Sequence, residues 1–348
     1  MGLPKDSGIE LYSKWPSGQK NLITDVPGVK VGHVTLQDGA INTGVTAVLP
    51  HGGNLFQDKV MAAQATLNGF GKSTGLIQID ELGTIETPIL LTNTLSVGTA
   101  LTGLVKYMLE GNPDIGVSTG TVNCLVTECN DGSLNDIRGL HVKEEHVRQA
   151  INEAGEVFAE GAVGGGTGMC CLGVKGGIGS ASRALEIDGD HYAVGALVMA
   201  NFGSAGNLVA GRRHVGREMA GLIPLQQDKG SIIILIATDI PLSERQLKRV
   251  AKRAAISLGR TGSYMGNGSG DISIAFTTAN RVPHYSQKSL LSMGMFYDEN
   301  IDMVFEAAVE SVEEAILSAL YHAQTTSGIR GKVVPGLTSY PPFYKTSI

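Results

Sequence analysis

The sequence predicts an α/β protein, one domain of layered sheets and helices, on three observations. Short apolar segments with strand periodicity are interleaved with segments whose apolar residues recur at helical spacing. Glycines punctuate the chain between them: 47 of 348 residues, about twice ordinary usage and with no collagen period. No linker, composition shift or repeat divides the chain, so a single large core is expected.

The elements follow in order. Residues 1–20 are polar, carry Pro4 and Pro16, and read as an extended arm, leaving 21–348 as the domain. Strands are expected at 29–34, 44–49, 89–92, 115–119 and 123–128. Between them, 96–110 reads as a helix with Val97, Ala100, Leu101, Leu104 and Met108 on one face. A second helix, charged on its outer side, is expected at 143–159. After the glycine-dense stretch 161–179, strands are expected at 192–199 and 231–237. The segment Ser231-Ile-Ile-Ile-Leu-Ile-Ala is apolar on both faces, as a fully covered central strand must be. Pro241-Leu-Ser-Glu opens a helix through Leu258, with Ser243 suited to cap it. A strand at 272–278 alternates, with Ile272, Ile274 and Phe276 on one face and Ser273, Ala275 and Thr277 on the other. A long helix from about 302 to 323 completes the pattern.

Composition narrows the function. A net charge of −6 without a long basic run argues against nucleic acid as a partner. The start lacks a signal-peptide core and no apolar run reaches membrane-spanning length, so a soluble, cytoplasmic protein of a reducing compartment is expected, with no membrane partner. The four cysteines (124, 129, 170, 171) form no C-x-x-C pair, and Cys170-Cys171 reads as two small core residues. His141 and His146, five apart, do not share a helical face, and no metal site is expected. Gly164-Gly-Gly-Thr-Gly and Gly176-Gly-Ile-Gly complete neither a dinucleotide fingerprint nor a phosphate loop, and read as tight turns.

The most informative segment is Gly266-Asn-Gly-Ser-Gly-Asp271. Taken alone it reads more simply as a glycine-rich hairpin turn. Its glycines also permit positive φ and strained turns, which Ser269 needs for its hydroxyl to fold back on the carbonyl of Gly268. Cleavage there leaves Ser269 with both a nucleophile and an α-amine of pKa near roughly 8, able to serve as its own base.

Several ordered blocks settle the choice at the level of sequence. They are Ile23-Thr-Asp-Val-Pro-Gly-Val-Lys-Val-Gly-His33, Pro88-Ile-Leu-Leu-Thr-Asn-Thr-Leu-Ser-Val-Gly98, Glu128-Cys-Asn-Asp-Gly-Ser-Leu-Asn-Asp-Ile137, Gly164-Gly-Gly-Thr-Gly-Met169, Lys175-Gly-Gly-Ile-Gly-Ser-Ala-Ser-Arg183, Asn201-Phe-Gly203 and the Ser269 segment. With them the chain resembles the L-aminopeptidase/D-esterase (DmpA-like) family, which includes the β-peptidyl aminopeptidases. The resemblance implies a four-layer αββα sandwich like that of the N-terminal nucleophile hydrolases, with different connectivity. It implies self-cleavage between Gly268 and Ser269 into an α chain, 1–268, and a β chain, 269–348. It further implies aminopeptidase, amidase or esterase activity on short substrates, no cofactor, and homo-oligomers of αβ units.

Carried over residue by residue, Ser269 matches the nucleophile, Asn201 the oxyanion-hole asparagine, and Glu128 the glutamate that recognises the substrate ammonium. Asn130 stands where some members have tyrosine. The family also places a serine and a glutamate, one residue apart, near the nucleophile. Ser311 and Glu313 fit that spacing; alternatively Glu310 is the glutamate and Ala308 replaces the serine. Glu310 and Glu313 are the pair that would share a helical face. Two rival readings stay open here: a non-catalytic oligomeric binding member, and an acyltransferase of similar self-cleaving type.

Overall fold

The protein is seen in a computed structural model that describes residues 2–222, 230–341 and 343. Met1 and the end of the expected domain, 344–348, lie outside the described residues.

Two sheets form the centre. The smaller contains β1 (Lys30–Asp38), β2 (Ile41–Leu49), β5 (Ile89–Asn93) and β6 (Leu125–Cys129), side by side in that order. The larger runs β4 (Thr84–Ile85), β3 (Asp58–Gly69), β12 (Gly270–Pro283), β11 (Ser231–Thr238), β10 (Asp190–Asn201) and β9 (Gly177–Ile187). A two-residue hairpin, β7 (Cys170–Cys171) and β8 (Val174–Lys175), precedes β9. The main helices are α2 (Val97–Gly111), α3 (Glu144–Asn152), α5 (Glu244–Thr261) and α6 (Asp302–His322), with short α1 (Leu76–Leu82) and α4 (Val215–Glu218) beside them.

Three hydrophobic cores stack these into four layers. Val34, Val45, Ala47 and Leu90 of the small sheet pack on Val97, Ala100, Leu104 and Val147 of α2 and α3. The facing sides of the two sheets meet through Val31, Ile89 and Leu91 against Leu197, Ile233, Ile272 and Ile274. The opposite face of the large sheet, with Val198 and Ile234, packs on Val250 and Ala254 of α5 and Ala308 and Ile316 of α6. The order is therefore helix, sheet, sheet, helix. As the alternation predicts, Ile272, Ile274 and Phe276 face the other sheet. The apolar strand β11 is buried at every position between β10 and β12. Ser243 caps α5, its Oγ accepting from the Gln246 N–H at 3.3 Å.

Some expectations shift. Residues 115–119 form a turn closed by one isolated bridge rather than a strand. The helix expected at 143–159 ends at Asn152, because the chain then turns so that Gly155 exchanges backbone hydrogen bonds with Val31 on the edge of the small sheet (2.9 and 3.0 Å). Two long strands, β3 and β9, were not anticipated. The first is rich in alanine and the second in glycine and serine, both poor strand formers on their own. Cys170 is half-buried, so only Cys171 of the pair is a core residue.

Candidate active site

Ladder register brings the distant sequence blocks to one edge. Asn201, the last residue of β10, pairs with Ser231, the first of β11; Ser231 pairs with Gly270 at the start of β12; Gly270 pairs with Gly69 at the end of β3. These four residues form a row across the end of the sheet, and Ser269 is one residue from it.

Ser269 is fully buried, and the backbone around it is fixed on all sides. Its N–H donates to the Gly266 carbonyl at 2.9 Å, closing a tight turn over Asn267 and Gly268. Its carbonyl accepts from the Phe70 N–H at 3.3 Å and from the Asn68 side-chain amide. Gly270 donates its N–H to Ser231 Oγ at 3.2 Å, and a Cβ there would lie 2.4 Å from the Phe70 carbonyl oxygen. This glycine is required by close approach. Ser269 Oγ donates to Asp271 Oδ1 at 2.6 Å, with Asp271 1% exposed. The pairing follows from extended backbone, in which residues two apart point the same way.

Glu128 lies on β6 of the other sheet and is 3% exposed. Its carboxylate accepts from the Lys72 N–H at 2.8 Å and from Thr94 Oγ. No cationic side chain among the described residues pairs with it. The segment leaving β3 ties it to Ser269: Phe70 bonds the Ser269 carbonyl and Lys72 the Glu128 carboxylate, their nitrogens at most about 7 Å apart. A Cβ on the intervening Gly71 would lie 3.6 Å from Glu128 Oε1 and 3.7 Å from Ile272 Cδ1.

Asn201 is oriented at both ends of its carboxamide. Oδ1 accepts from the Cys170 N–H at 2.8 Å, and Nδ2 donates to the Asn130 carbonyl at 3.1 Å. Its second Nδ2–H has no protein partner among the described residues and can bind a developing oxyanion. The side chain of Asn130 is occupied by its own turn, accepting from the Gly132 N–H at 2.9 Å. Behind this group Asp131 is fully buried, and burial pushes its carboxyl up to about 7.

The expected partners on the C-terminal helix are not brought to Ser269. Glu310 pairs with buried Arg183 (3.0 Å) and accepts from Ser13 Oγ and the Lys14 N–H of the arm. Ser311 Oγ donates to the Val194 carbonyl, and Glu313 pairs with Arg260 at 2.9 Å. Val194 precedes Asn201 by seven residues on β10, about 23 Å along an extended strand. The reason is packing: α6 lies over the sheet face remote from the other sheet, and these polar groups tie it to β9, β10, α5 and the arm. The carboxylate and hydroxyl that do bond Ser269 and its neighbour Gly270 are those of Asp271 and Ser231. Both were legible in principle: Asp271 is two residues from Ser269 on a strand, and Ser231 is the polar start of an otherwise apolar strand. Among the described residues, no three His, Cys, Asp or Glu side chains gather to hold a metal ion.

Comparison with known proteins identifies relatives of this chain. A profile described as peptidase family S58 matches residues 21–334. The beta-peptidyl aminopeptidase BapA of Sphingosinicella microcystinivorans is 40% identical over 358 residues, covering 96% of this chain and 89% of that protein. Among solved structures, the PH0078 protein from Pyrococcus horikoshii OT3 superimposes with a TM-score of 0.93 at 53% identity, covering 97% and 96% of the two chains. The L-aminopeptidase D-Ala-esterase/amidase of Ochrobactrum anthropi matches with a TM-score of 0.87 at 38% identity, covering 94% and 93%. That structure is described as a prototype for the serine aminopeptidases and a new variant of the Ntn hydrolase fold.

Proposed function

The chain belongs to peptidase family S58 and is a hydrolase of aminopeptidase type, and from that premise we propose that it is self-processing, with Ser269 as the N-terminal nucleophile of its 269–348 fragment. The observation that carries this reading is the buried Glu128 carboxylate, left without a cation and joined to Ser269 by a two-residue bridge. A buried carboxylate in that state is completed by an ammonium, which the free amino end of a peptide supplies.

In the uncut chain Ser269 Oγ–H passes its proton to Asp271 as Oγ attacks the Gly268 carbonyl carbon. The Gly268–Ser269 C–N bond breaks, its nitrogen takes the proton back, and an ester joins Gly268 to Ser269 Oγ. Water hydrolyses that ester, leaving a Gly268 carboxylate and a free Ser269 amine. On substrate, the amine takes the Oγ proton as Oγ attacks the scissile carbonyl and gives it to the leaving amine or alcohol as that bond breaks; the oxyanion meets Asn201 Nδ2–H, and Glu128 holds the substrate ammonium. The acyl-enzyme ester on Ser269 is then hydrolysed.

The reading includes short peptides, amides or esters as substrates, with residues 1–20 an arm on a single domain. It also includes a cytoplasmic location and assembly as a homo-oligomer of αβ units. Exposed apolar side chains at Tyr285, Leu290, Met295 and Tyr297 support assembly. No helix among the described residues is long and apolar enough to cross a membrane. Denaturing electrophoresis with intact-mass measurement tests the core of the reading. Fragments of 268 and 80 residues are expected from wild type, and an uncut chain from Ser269→Ala. A wild-type chain that stays whole through long incubation and releases no arylamine from aminoacyl anilides favours the non-catalytic alternative.

A further inference from the structure

Lys175 is a fully buried lysine that the reaction as written does not use. Its ammonium donates to three carbonyls, those of Gly166 (3.2 Å), Met169 (2.7 Å) and Gly176 (2.7 Å). All three of its protons are therefore placed, and no carboxylate among the described residues lies within ion-pair distance. A neutral amine would turn a lone pair toward one of those carbonyls, so the site is built for the charged form. Solvation of a buried charge by backbone alone is costly unless the charge does something nearby.

What lies nearby is the Asn201 carboxamide. The Met169 carbonyl that receives the ammonium belongs to the same peptide group as the Cys170 N–H, which donates to Asn201 Oδ1 at 2.8 Å. The same hairpin fixes the approach: Cys170 and Lys175 are cross-strand partners, and the Gly176 N–H also holds the Met169 carbonyl at 2.9 Å. A cation on the carbonyl end of a peptide makes its N–H a stronger donor, and such chains of hydrogen bonds polarise one another. The chain continues through the carboxamide to Nδ2, whose one proton is spent on the Asn130 carbonyl and whose other is unengaged.

We propose that Lys175 is a positioning residue for the reaction: through the Met169–Cys170 peptide its ammonium holds and polarises the Asn201 carboxamide, so that the unengaged Nδ2–H is fixed for the developing oxyanion. This rests on Asn201 being the oxyanion donor. The groups that face Lys175 electrostatically are Asp131, Cys170 and Cys171, and burial lowers its own ammonium to about 8. The positive charge sits within about 10 Å of the Nδ2–H, reckoned from the bond lengths of the relay. At that range a buried unit charge is worth roughly a tenfold change in rate at an effective dielectric of about 20.

The test is a double-mutant cycle on processed enzyme with an alanyl p-nitroanilide. Lys175→Met is expected to lower kcat about tenfold or more while KM stays within about threefold, and Lys175→Arg to restore part of the loss. In an Asn201→Ala background, Lys175→Met is expected to change kcat by less than about twofold. A Lys175→Met loss that multiplies with the Asn201→Ala loss, or a Lys175→Met enzyme with wild-type kcat, overturns the proposal. If wild type neither cuts itself nor turns over, or Asn201→Ala is fully active, it is the underlying reading that fails. Should no variant at 175 fold or process, the wild-type Asn201 side-chain amide resonances, identified by their loss in Asn201→Asp, decide. They must shift as Lys175 titrates between about pH 7 and pH 9; resonances that stay still refute the relay.

Discussion

Glu128→Gln isolates the charge that this reading assigns to amino-end recognition. The substitution is nearly isosteric, and the pocket can absorb it. The Lys72 N–H keeps an oxygen to bond, while the Thr94 hydroxyl, donor and acceptor alike, can rotate to receive the new amide N–H. What disappears is a carboxylate 3% exposed and without another cation among the described residues. A substrate ammonium placed about 4 Å from it gains about 4 kcal/mol at an effective dielectric of about 20. Part of that gain offsets dehydration of the ammonium, leaving about 2–4 kcal/mol. The expected outcome is a fall in kcat/KM for free-amine anilides of about 30- to 1000-fold. Because the ammonium is present in both the ground and transition states, most of the fall should lie in KM. An N-acetylated anilide, which has no ammonium, should be hydrolysed poorly by both enzymes and no worse by the variant. Steady-state kinetics on the paired substrates decide the matter. A variant whose kcat/KM for the free-amine substrate stays within threefold of wild type, with folding intact, would refute the assignment of Glu128.

Other outcomes follow from the same geometry. Asp271→Asn keeps an oxygen for Ser269 Oγ but cannot take its proton, so self-cleavage should slow by at least about 100-fold, read as persistence of the uncut chain on a denaturing gel. Arg183→Met strands Glu310 and Glu314, which now share the buried guanidinium at 3.0 and 2.8 Å; a loss of about 3–5 kcal/mol by calorimetry is expected, with faster proteolysis of the arm that Glu310 anchors. His33, whose Nδ1 lies 2.9 Å from Thr46 Oγ1, is lowered by burial to about 4 from its ordinary 6.5. The unfolded chain therefore binds the proton more readily, and stability should fall by about 3 kcal/mol as pH drops from 6.5 to 4. His33→Gln should flatten that acid slope in denaturant titrations across the same window.

How far this protein is legible in its sequence depends on the kind of signal each residue leaves. Strands with a clear period, such as the alternation around Ile272 and the solid apolar run of β11, are read correctly because burial itself writes the pattern. The strand β9 is opaque for the opposite reason. Its glycines and serines admit close packing of α6, and a Cβ at Gly179 would lie 2.0 Å from the Ala315 carbonyl, so tertiary contact sets the composition there. The same division runs through the site. Glu128, Asn201 and Ser269 are marked by blocks of neighbouring residues; ladder register gathers the strand ends at Asn201 and Ser269, and the segment leaving β3 ties in Glu128. Spacing on a helix misleads at Glu310, Ser311 and Glu313, because nothing in that spacing says which sheet face α6 covers. Lys175 carries a faint signal as the one charged residue in the stretch from 161 to 182. Its meaning appears only when the Met169–Cys170 peptide is seen to stand between it and Asn201.

On the proposed reading, the surroundings of Ser269 give a reason why the serine needs its chain cut before it can serve a substrate. In the uncut chain the Ser269 nitrogen is an amide, its proton held by the Gly266 carbonyl and its lone pair delocalised, so it cannot act as a base. The basic atom bonded to Oγ among the described residues is Asp271 Oδ1, and the Gly268 carbonyl carbon is one residue away along the backbone. The proposed first reaction is therefore at the Gly268–Ser269 bond. Cleavage changes both terms at once. It removes the amide N–H that the Gly266 carbonyl holds, and it converts the nitrogen to an amine of pKa near roughly 8, on the same residue as Oγ. Self-cleavage and turnover therefore answer to different bases on one nucleophile. A single profile against pH should not describe both, and Asp271→Asn should separate them by blocking the first step.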